Sequence, residues 1–423
     1  MSTAEKMKVL VIGAGAREHS LCWKLRRSAR VGTVYCAPGN PGIAREATLT
    51  PLKVDDLEGL LQFALKQQID LTVVGPEFPL TLGIVDLFRS HGLRIFGPSK
   101  AAARIEGSKS FAKEVMLAAG VPTARCATFT NEREAADYVR QQGAPIVLKA
   151  DGLAAGKGVH VCMDLDQALG ALTNLFGELG SSTVVAEEFL HGVEVSYIVA
   201  TDGERVVPCA SAHDYKRIFD GDLGPNTGGM GSVSPTPRFS LAQEQEVLEQ
   251  VIAPVLSEMR SRGTPFSGFL YAGLMLQPDG KISVLEFNAR MGDPECQSIL
   301  RRLDSDLAEI LYSLSDRGAA LPPQRWRPET AVCLVLAADG YPGTVKNGDQ
   351  ISGIAQAEEL PEVVVFHAGT RLDDSGHLLT SGGRVLTVSA LGMDLAEARS
   401  RAYRAADMIG FRGCQVRRDI AKN

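Results

Sequence analysis

The chain has 423 residues, 45% hydrophobic and 22% charged, the balance of an ordinary globular protein, which excludes fibrous and disordered classes. Its length exceeds what one hydrophobic core usually serves, so several domains are expected. The formal charge of -6 gives no electrostatic case for nucleic-acid binding, and no apolar run reaches the roughly 20 residues that span a bilayer.

Met1 to Lys6 lacks a signal peptide's apolar region, so a cytoplasmic protein acting on small molecules is expected. The eight cysteines are scattered singly, without zinc or redox spacing, and read as buried thiols.

In chain order, Val9 to Gly13, Thr33 to Ala37, Leu71 to Gly75 and Arg94 to Gly97 read as strands alternating with helical patterns. That alternation predicts a parallel, helix-covered sheet. The first strand enters Gly13-Ala14-Gly15, the start of a dinucleotide fingerprint, but Glu18 stands where the third glycine belongs. The second strand lacks the acidic residue that would bind an adenosine ribose. A nicotinamide site is therefore disfavoured, while a phosphate-binding loop remains open.

A polar boundary is expected at Ser99 to Ser108, followed by a helix over Lys109 to Ala119. A small α+β lobe follows. Its strands are Cys126 to Phe129, Ile146 to Ala150, Val159 to Met163 and Thr183 to Phe189, and its helices Glu132 to Gln142 and Gln167 to Leu179. A larger lobe runs from Val193 to about Leu314, with a long glycine-rich loop over Asp220 to Thr236 and a helix near Gln243 to Arg262. From about Arg327 the chain returns to strands (Val332 to Ala337, Val363 to His367, Val385 to Ala390) and one helix, Asp394 to Ile409.

Three stretches carry chemistry. Lys149 ends an apolar strand and meets the loop Ala150 to Gly158, which includes Gly156; a cation beside exposed backbone N–H groups suits phosphate, though a surface hairpin would read alike. Glu187-Glu188-Phe189-Leu190, followed by Glu194, could set backbone against adenine and a carboxylate against ribose; exposed acids on a strand edge are the plainer alternative. In Leu285-Glu286-Phe287-Asn288-Ala289-Arg290, the period of two puts Glu286, Asn288 and Arg290 on one face, with Leu285 and Phe287 packed behind. Two oxygen donors and a cation on one face suit magnesium and a transferring phosphoryl group. His213 to Arg217 and the glycine loop to Gly231 look like substrate elements.

Taken in order, Lys109, Lys149 with its loop, Glu187 to Leu190, Glu194, Glu286 and Asn288 resemble the ATP-grasp superfamily. With Gly39-Asn40-Pro41-Gly42, Val74-Gly75-Pro76-Glu77, His213 to Arg217, Asn226 to Gly231 and Arg290 to Glu295, nearly the whole chain resembles the phosphoribosylamine-glycine ligase family. The resemblance implies a multidomain chain of α/β and α+β character. Its parts are an N-terminal parallel-sheet domain (1–105), a two-lobed ATP-grasp core (106–326, with lobes at about 124–192 and 193–326) and a small C-terminal α+β domain (327–423).

It implies the second step of purine synthesis, in which ATP, glycine and 5-phosphoribosylamine give glycinamide ribonucleotide through a glycyl phosphate. Mg2+ or Mn2+ would sit on Glu286 and Asn288, and ATP on Lys109, Lys149, Gly156, Glu187, Phe189, Leu190 and Glu194. Arg290, Lys149 and Asp214 would act in catalysis, Asp214 receiving the ammonium of glycine. Gly15, Asn40, Gly42, Glu77, Pro79, Leu80, Lys216, Arg217 and Gly292 would complete the substrate sites. A monomer is expected. Met291 departs from the family's aromatic, and Leu270 to Leu276 lacks the acid that often adds a metal ligand. The rivals are a carboxylase of the same superfamily, a nicotinamide oxidoreductase and a non-catalytic nucleotide binder.

Overall fold

The computed structural model describes residues 6–153, 158–316 and 318–422. The N-terminal sheet is parallel and five-stranded, in the spatial order Thr48–Leu49, Val31–Pro38, Met7–Gly13, Leu71–Val74 and Ile95–Phe96. Its central strands are buried on both faces, as their Val-, Leu- and Ile-rich runs require.

The expected polar boundary is instead helical. Ser99 caps the helix Lys100–Gly107, accepting the Ala102 N–H at 3.2 Å, and Ser108 caps Lys109–Ala118, accepting from Phe111. Serine competes for backbone hydrogen bonds and so reads as loop, but that property also makes it a helix cap.

The small lobe is a four-stranded antiparallel sheet, Cys126–Phe129, Val184–Glu188, Ile146–Ala150 and Val159–Cys162, covered by Glu132–Gln142 and Leu165–Thr173. Its core, with Val139, Leu148, Leu172 and Val184, is separate from the rest.

The large lobe and the C-terminal segment share one eight-stranded sheet. Its order is Ile282–Asn288, Gly268–Leu276, Val193–Thr201, Val206–Asp214, Gly231–Ser234, Thr330–Ala337, Arg384–Gly392 and Val363–His367. The sheet therefore continues across residue 327, through the pairing of Gly231–Ser234 with Thr330–Ala337.

The loop expected over Asp220 to Thr236 holds a hairpin and a strand. Arg217–Phe219 pairs with Leu223–Asn226 across left-handed Gly221 and Asp222, and Gly231–Ser234 is buried in the large sheet. Four short residues carry little periodicity; their strand form comes from the partners on either side. The helix expected near Gln243 to Arg262 is Leu241–Val247 and Ala253–Ser261 joined by a wider π turn at Leu248–Ile252, where Pro254 lacks the N–H that regular geometry needs. The tail also carries a helix, Ile354–Glu358, and a hairpin, Thr370–Leu372 with Leu378–Thr380, that periodicity did not reveal. Among the described residues no helix is long and apolar enough to cross a membrane.

Candidate active site

A cavity of about 630 Å³ opens where all these parts meet. The strand Ile282–Asn288 forms one wall. Its pairing slips between Gly273 and Leu274, so Leu285 is an extra, bulged residue. The bulge overturns the expectation that Leu285 packs behind with Phe287. Both residues line the cavity, but Phe287 is buried in the main core, whereas Leu285 is only half-buried and its carbonyl accepts the Lys149 ammonium at 3.1 Å. Glu286 and Asn288 follow the bulge and both line the cavity.

Burial alone would push the Glu286 carboxyl up, but Lys216, Lys149, Lys109 and Arg290 outweigh it and hold the group below the usual carboxylate value. Among the described residues no group of three His, Cys, Asp or Glu stands ready for a metal. A carboxylate and an amide oxygen on one strand face remain. That hard-oxygen pair fits a divalent cation of the magnesium type, which keeps waters and takes its other ligands from phosphates.

Arg290 is held on three sides: Nη2 lies 2.9 Å from Glu106 Oε1 and donates to Asn288 Oδ1 at 3.2 Å, and Nε donates to Glu77 Oε2 at 3.3 Å. Such a fixed guanidinium is oriented before any ligand arrives.

On the opposite wall, the buried Glu187 bridges Lys149 (3.0 Å) and Lys113 (3.1 Å). Phe189 and Leu190 continue that wall. Lys109 begins its helix and reaches the Gly152 carbonyl at 2.9 Å. Its ammonium is pushed down by burial, against the pull of Glu286. Lys216 pairs with Glu194 beside the same space. Asp214 also lines it, with Oδ1 buried and unpartnered among the described residues. Burial, and then Glu295, push the Asp214 carboxyl well up, with Lys216 opposing.

The cavity thus gathers Lys109, Lys149, Glu187, Phe189, Leu190, Glu194, Asp214, Lys216, Glu286, Asn288, Arg290, Gly292 and Glu77. Gly156 lies outside the described residues. Arg217 lines a separate depression between the small lobe and its own hairpin, where it donates to the Gly224 carbonyl at 2.6 Å. Leu80 is a core residue, and Pro79 is buried beside it. Asn40 spends its amide on the Ala14 and His367 carbonyls, both at 2.8 Å, and a methyl group on Gly42 would meet the His367 ring at 2.4 Å. Gly15 stands at the edge, its position for a methyl group 3.7 Å from Asp293.

Glu18 accepts the Gly15 N–H at 2.6 Å and fills the space above Gly13 and Gly75. A pyrophosphate lying on that turn would find the space taken. Sequence reasoning missed Arg17, Glu106, Lys113, Tyr271, Glu295, Tyr341 and Arg384, all of which line the cavity. Lys113, one helical turn from Lys109, was the one with a local signal. Arg384, which donates to the Gly228 and Asp293 carbonyls (2.5 and 2.6 Å), had none.

Two α+β lobes closing over cations and a carboxylate–amide pair define an ATP-grasp protein. The chain matches the phosphoribosylglycinamide synthetase N domain over residues 7–106, the ATP-grasp (A) domain over 107–296 and the C domain over 331–423. It is 49% identical over 420 residues to phosphoribosylamine–glycine ligase of Neisseria meningitidis serogroup A, covering 98% of this chain and 99% of that one. The crystal structure of phosphoribosylamine–glycine ligase from Thermotoga maritima superposes with a TM-score of 0.85 at 34% identity, covering 98% and 100% of the two chains. The biotin carboxylase domain of Hydrogenobacter thermophilus 2-oxoglutarate carboxylase, at 16% identity and TM-score 0.73 over 97% and 91%, shares the fold alone. The chain belongs to the phosphoribosylglycinamide synthetase family.

Proposed function

We propose that this chain ligates glycine to 5-phosphoribosylamine, with ATP converted to ADP and phosphate and glycinamide ribonucleotide as product. The observation that carries the reading is that Lys109, Lys149, Lys216 and Arg290 line one cavity with Glu286 and keep its carboxyl ionised, in a chain of this family. A glycine carboxylate is a poor electrophile because its charge repels nucleophiles. Transfer of the γ-phosphoryl group to one carboxylate oxygen gives glycyl phosphate and releases ADP. The amine of phosphoribosylamine then attacks the carbonyl carbon, the bond to the phosphate oxygen breaks with its electron pair, and the amine loses a proton.

Each part of the cavity has a share in this. Lys149 and Lys109 offset the charge that builds on the phosphates, and Arg290 orients the transferring group. Glu187, Phe189, Leu190 and Glu194 hold the nucleotide, and Asp214 receives the glycine ammonium. Glu77, Gly15 and Gly292 border the phosphoribosylamine place. Asn40, Gly42, Pro79 and Leu80 shape it from behind. A divalent cation, Mg2+ or Mn2+, held by Glu286 and Asn288 supplies charge neutralisation to the phosphates. The small polar substrates fit an enzyme of the cytoplasm.

The test is ADP release by purified protein. Release that requires both glycine and freshly generated phosphoribosylamine is the expected result. Release driven by bicarbonate without glycine would overturn the reading.

A further inference from the structure

The helix Lys100–Gly107 carries the end of the N-domain match and Lys109–Ala118 lies in the ATP-grasp match, so the junction between them joins two parts of the molecule. Two residues of this junction, three apart, reach different lobes. Lys109 holds the small lobe: its backbone N–H donates to Asp151 Oδ1 at 2.5 Å and its ammonium to the Gly152 carbonyl at 2.9 Å. Glu106, the last residue of the N-domain match, holds the large lobe just past the strand Ile282–Asn288.

Glu106 takes hold of two consecutive residues there. Its Oε2 accepts the Ala289 N–H at 2.7 Å, and its Oε1 lies 2.9 Å from Arg290 Nη2. The side chain is only 7% exposed, so water and salt weaken neither contact much. Arg290 Nε meanwhile donates to Glu77 Oε2 at 3.3 Å. Two carboxylates on two nitrogens fix the plane of the guanidinium; with Glu77 alone it could pivot about that single bond. The job needs a carboxylate, which accepts at both oxygens. An amide has one oxygen. With that oxygen kept on the Ala289 N–H, its NH2 would face Nη2, donor against donor.

We propose that Glu106 is a positioning residue for phosphoryl transfer, acting through Arg290 by setting the plane of its guanidinium and through the Ala289 N–H by fixing the chain between Asn288 and Arg290. The proposal rests on the ligase reading above, in which Arg290 orients the transferring group. Both oxygens of Glu106 are spent on the protein, so its effect on the reaction is indirect. A preorganised cation stabilises charge that develops in the transition state, and it does so only when aimed at that charge. Its displacement is therefore felt in the rate more than in substrate binding.

The test is steady-state kinetics of the full-length protein with ATP, glycine and phosphoribosylamine. Glu106→Gln should lower kcat about 10- to 100-fold, the effect of a displacement of about 1 Å, with KM for glycine and for ATP changed less than about 3-fold. Glu106→Asp keeps the charge on a stem one methylene shorter and should retain several-fold more turnover than Glu106→Gln. Arg290→Lys supplies the readout that a merely structural contact would not move. Lysine carries a point charge with no plane to set. Adding Glu106→Gln to Arg290→Lys should therefore lower kcat by less than about a further 3-fold.

Melting temperatures establish that each variant is folded; if Glu106→Gln is not, Glu106→Asp is judged by the same split between kcat and KM. If the Arg290→Lys background turns over too slowly to resolve, that split decides alone. Normal kcat in folded Glu106→Gln, a rise in KM alone, or an equal fall in both backgrounds would overturn the positioning role and leave the ligase reading standing. Absence of glycine-dependent turnover in the unsubstituted protein would overturn both.

Discussion

Glu286 is a carboxylate that shares its cavity with four cations, and its environment decides its state. Burial works against ionisation, and Lys216, Lys149, Lys109 and Arg290 outweigh it, so the group stays charged at neutral pH. An ionised carboxylate and the Asn288 amide oxygen are what a hard divalent cation needs from protein when phosphates supply the remaining ligands. Glu286→Gln keeps the shape and removes the charge. Turnover is expected to fall about 100-fold or more, since a metal contact contributes several kcal/mol at the transition state. ADP release at saturating glycine, set beside an unchanged melting curve, measures this; turnover near that of the unsubstituted protein would remove Glu286 from the reaction.

At the scale of elements, the stretch from Asp214 to Ser234 joins the substrate end of the cavity to the C-terminal segment. Gly229 is its tightest point. Its φ is +109°, which side-chain-bearing residues rarely adopt, and a methyl group there would press on Pro294 and Asp214. Gly229→Ala is expected to cost about 2 kcal/mol of stability and to weaken glycine binding by displacing Asp214. Denaturant midpoints and KM for glycine check the two effects, and a variant normal in both would show that the turn yields freely. The strands and helices around this stretch were legible in the sequence wherever periodicity is local: the N-terminal alternation, the Lys149 strand, and the face shared by Glu286, Asn288 and Arg290. Other features were set by partners far along the chain. The Leu285 bulge depends on Gly268–Leu276, the Gly231–Ser234 strand on Thr330–Ala337, and the place of Arg384 on Gly228 and Asp293. No local pattern encodes such pairings.

Across the whole molecule, the N-terminal and C-terminal parts meet at two buried histidines. The His367 N–H donates to His19 Nδ1 at 2.8 Å, and Asn40 ties the His367 carbonyl to that of Ala14. His19 therefore carries no proton on Nδ1, and His367 Nε2 has no partner among the described residues. Burial, followed by Arg45, pushes His367 down to about 4; burial, then His367, Arg45 and Arg27, push His19 well below its ordinary value. In the unfolded chain both would titrate near 6.5. Between about pH 6.5 and 4 the unfolded state thus binds more protons than the folded one, so stability rises with pH through that window. It is fully present above about pH 6.5 and is lost as pH falls toward 4. For His367 the loss between pH 7 and 5 should be about 2 kcal/mol, and His19 adds to it in the same direction. His367→Gln keeps the backbone bond to His19 and removes one titrating ring. Its unfolding midpoint should therefore fall less between pH 7 and 5 than that of the unsubstituted protein, by the His367 share of about 2 kcal/mol. Parallel pH profiles for the two proteins would mean that the histidine contact carries none of the acid sensitivity.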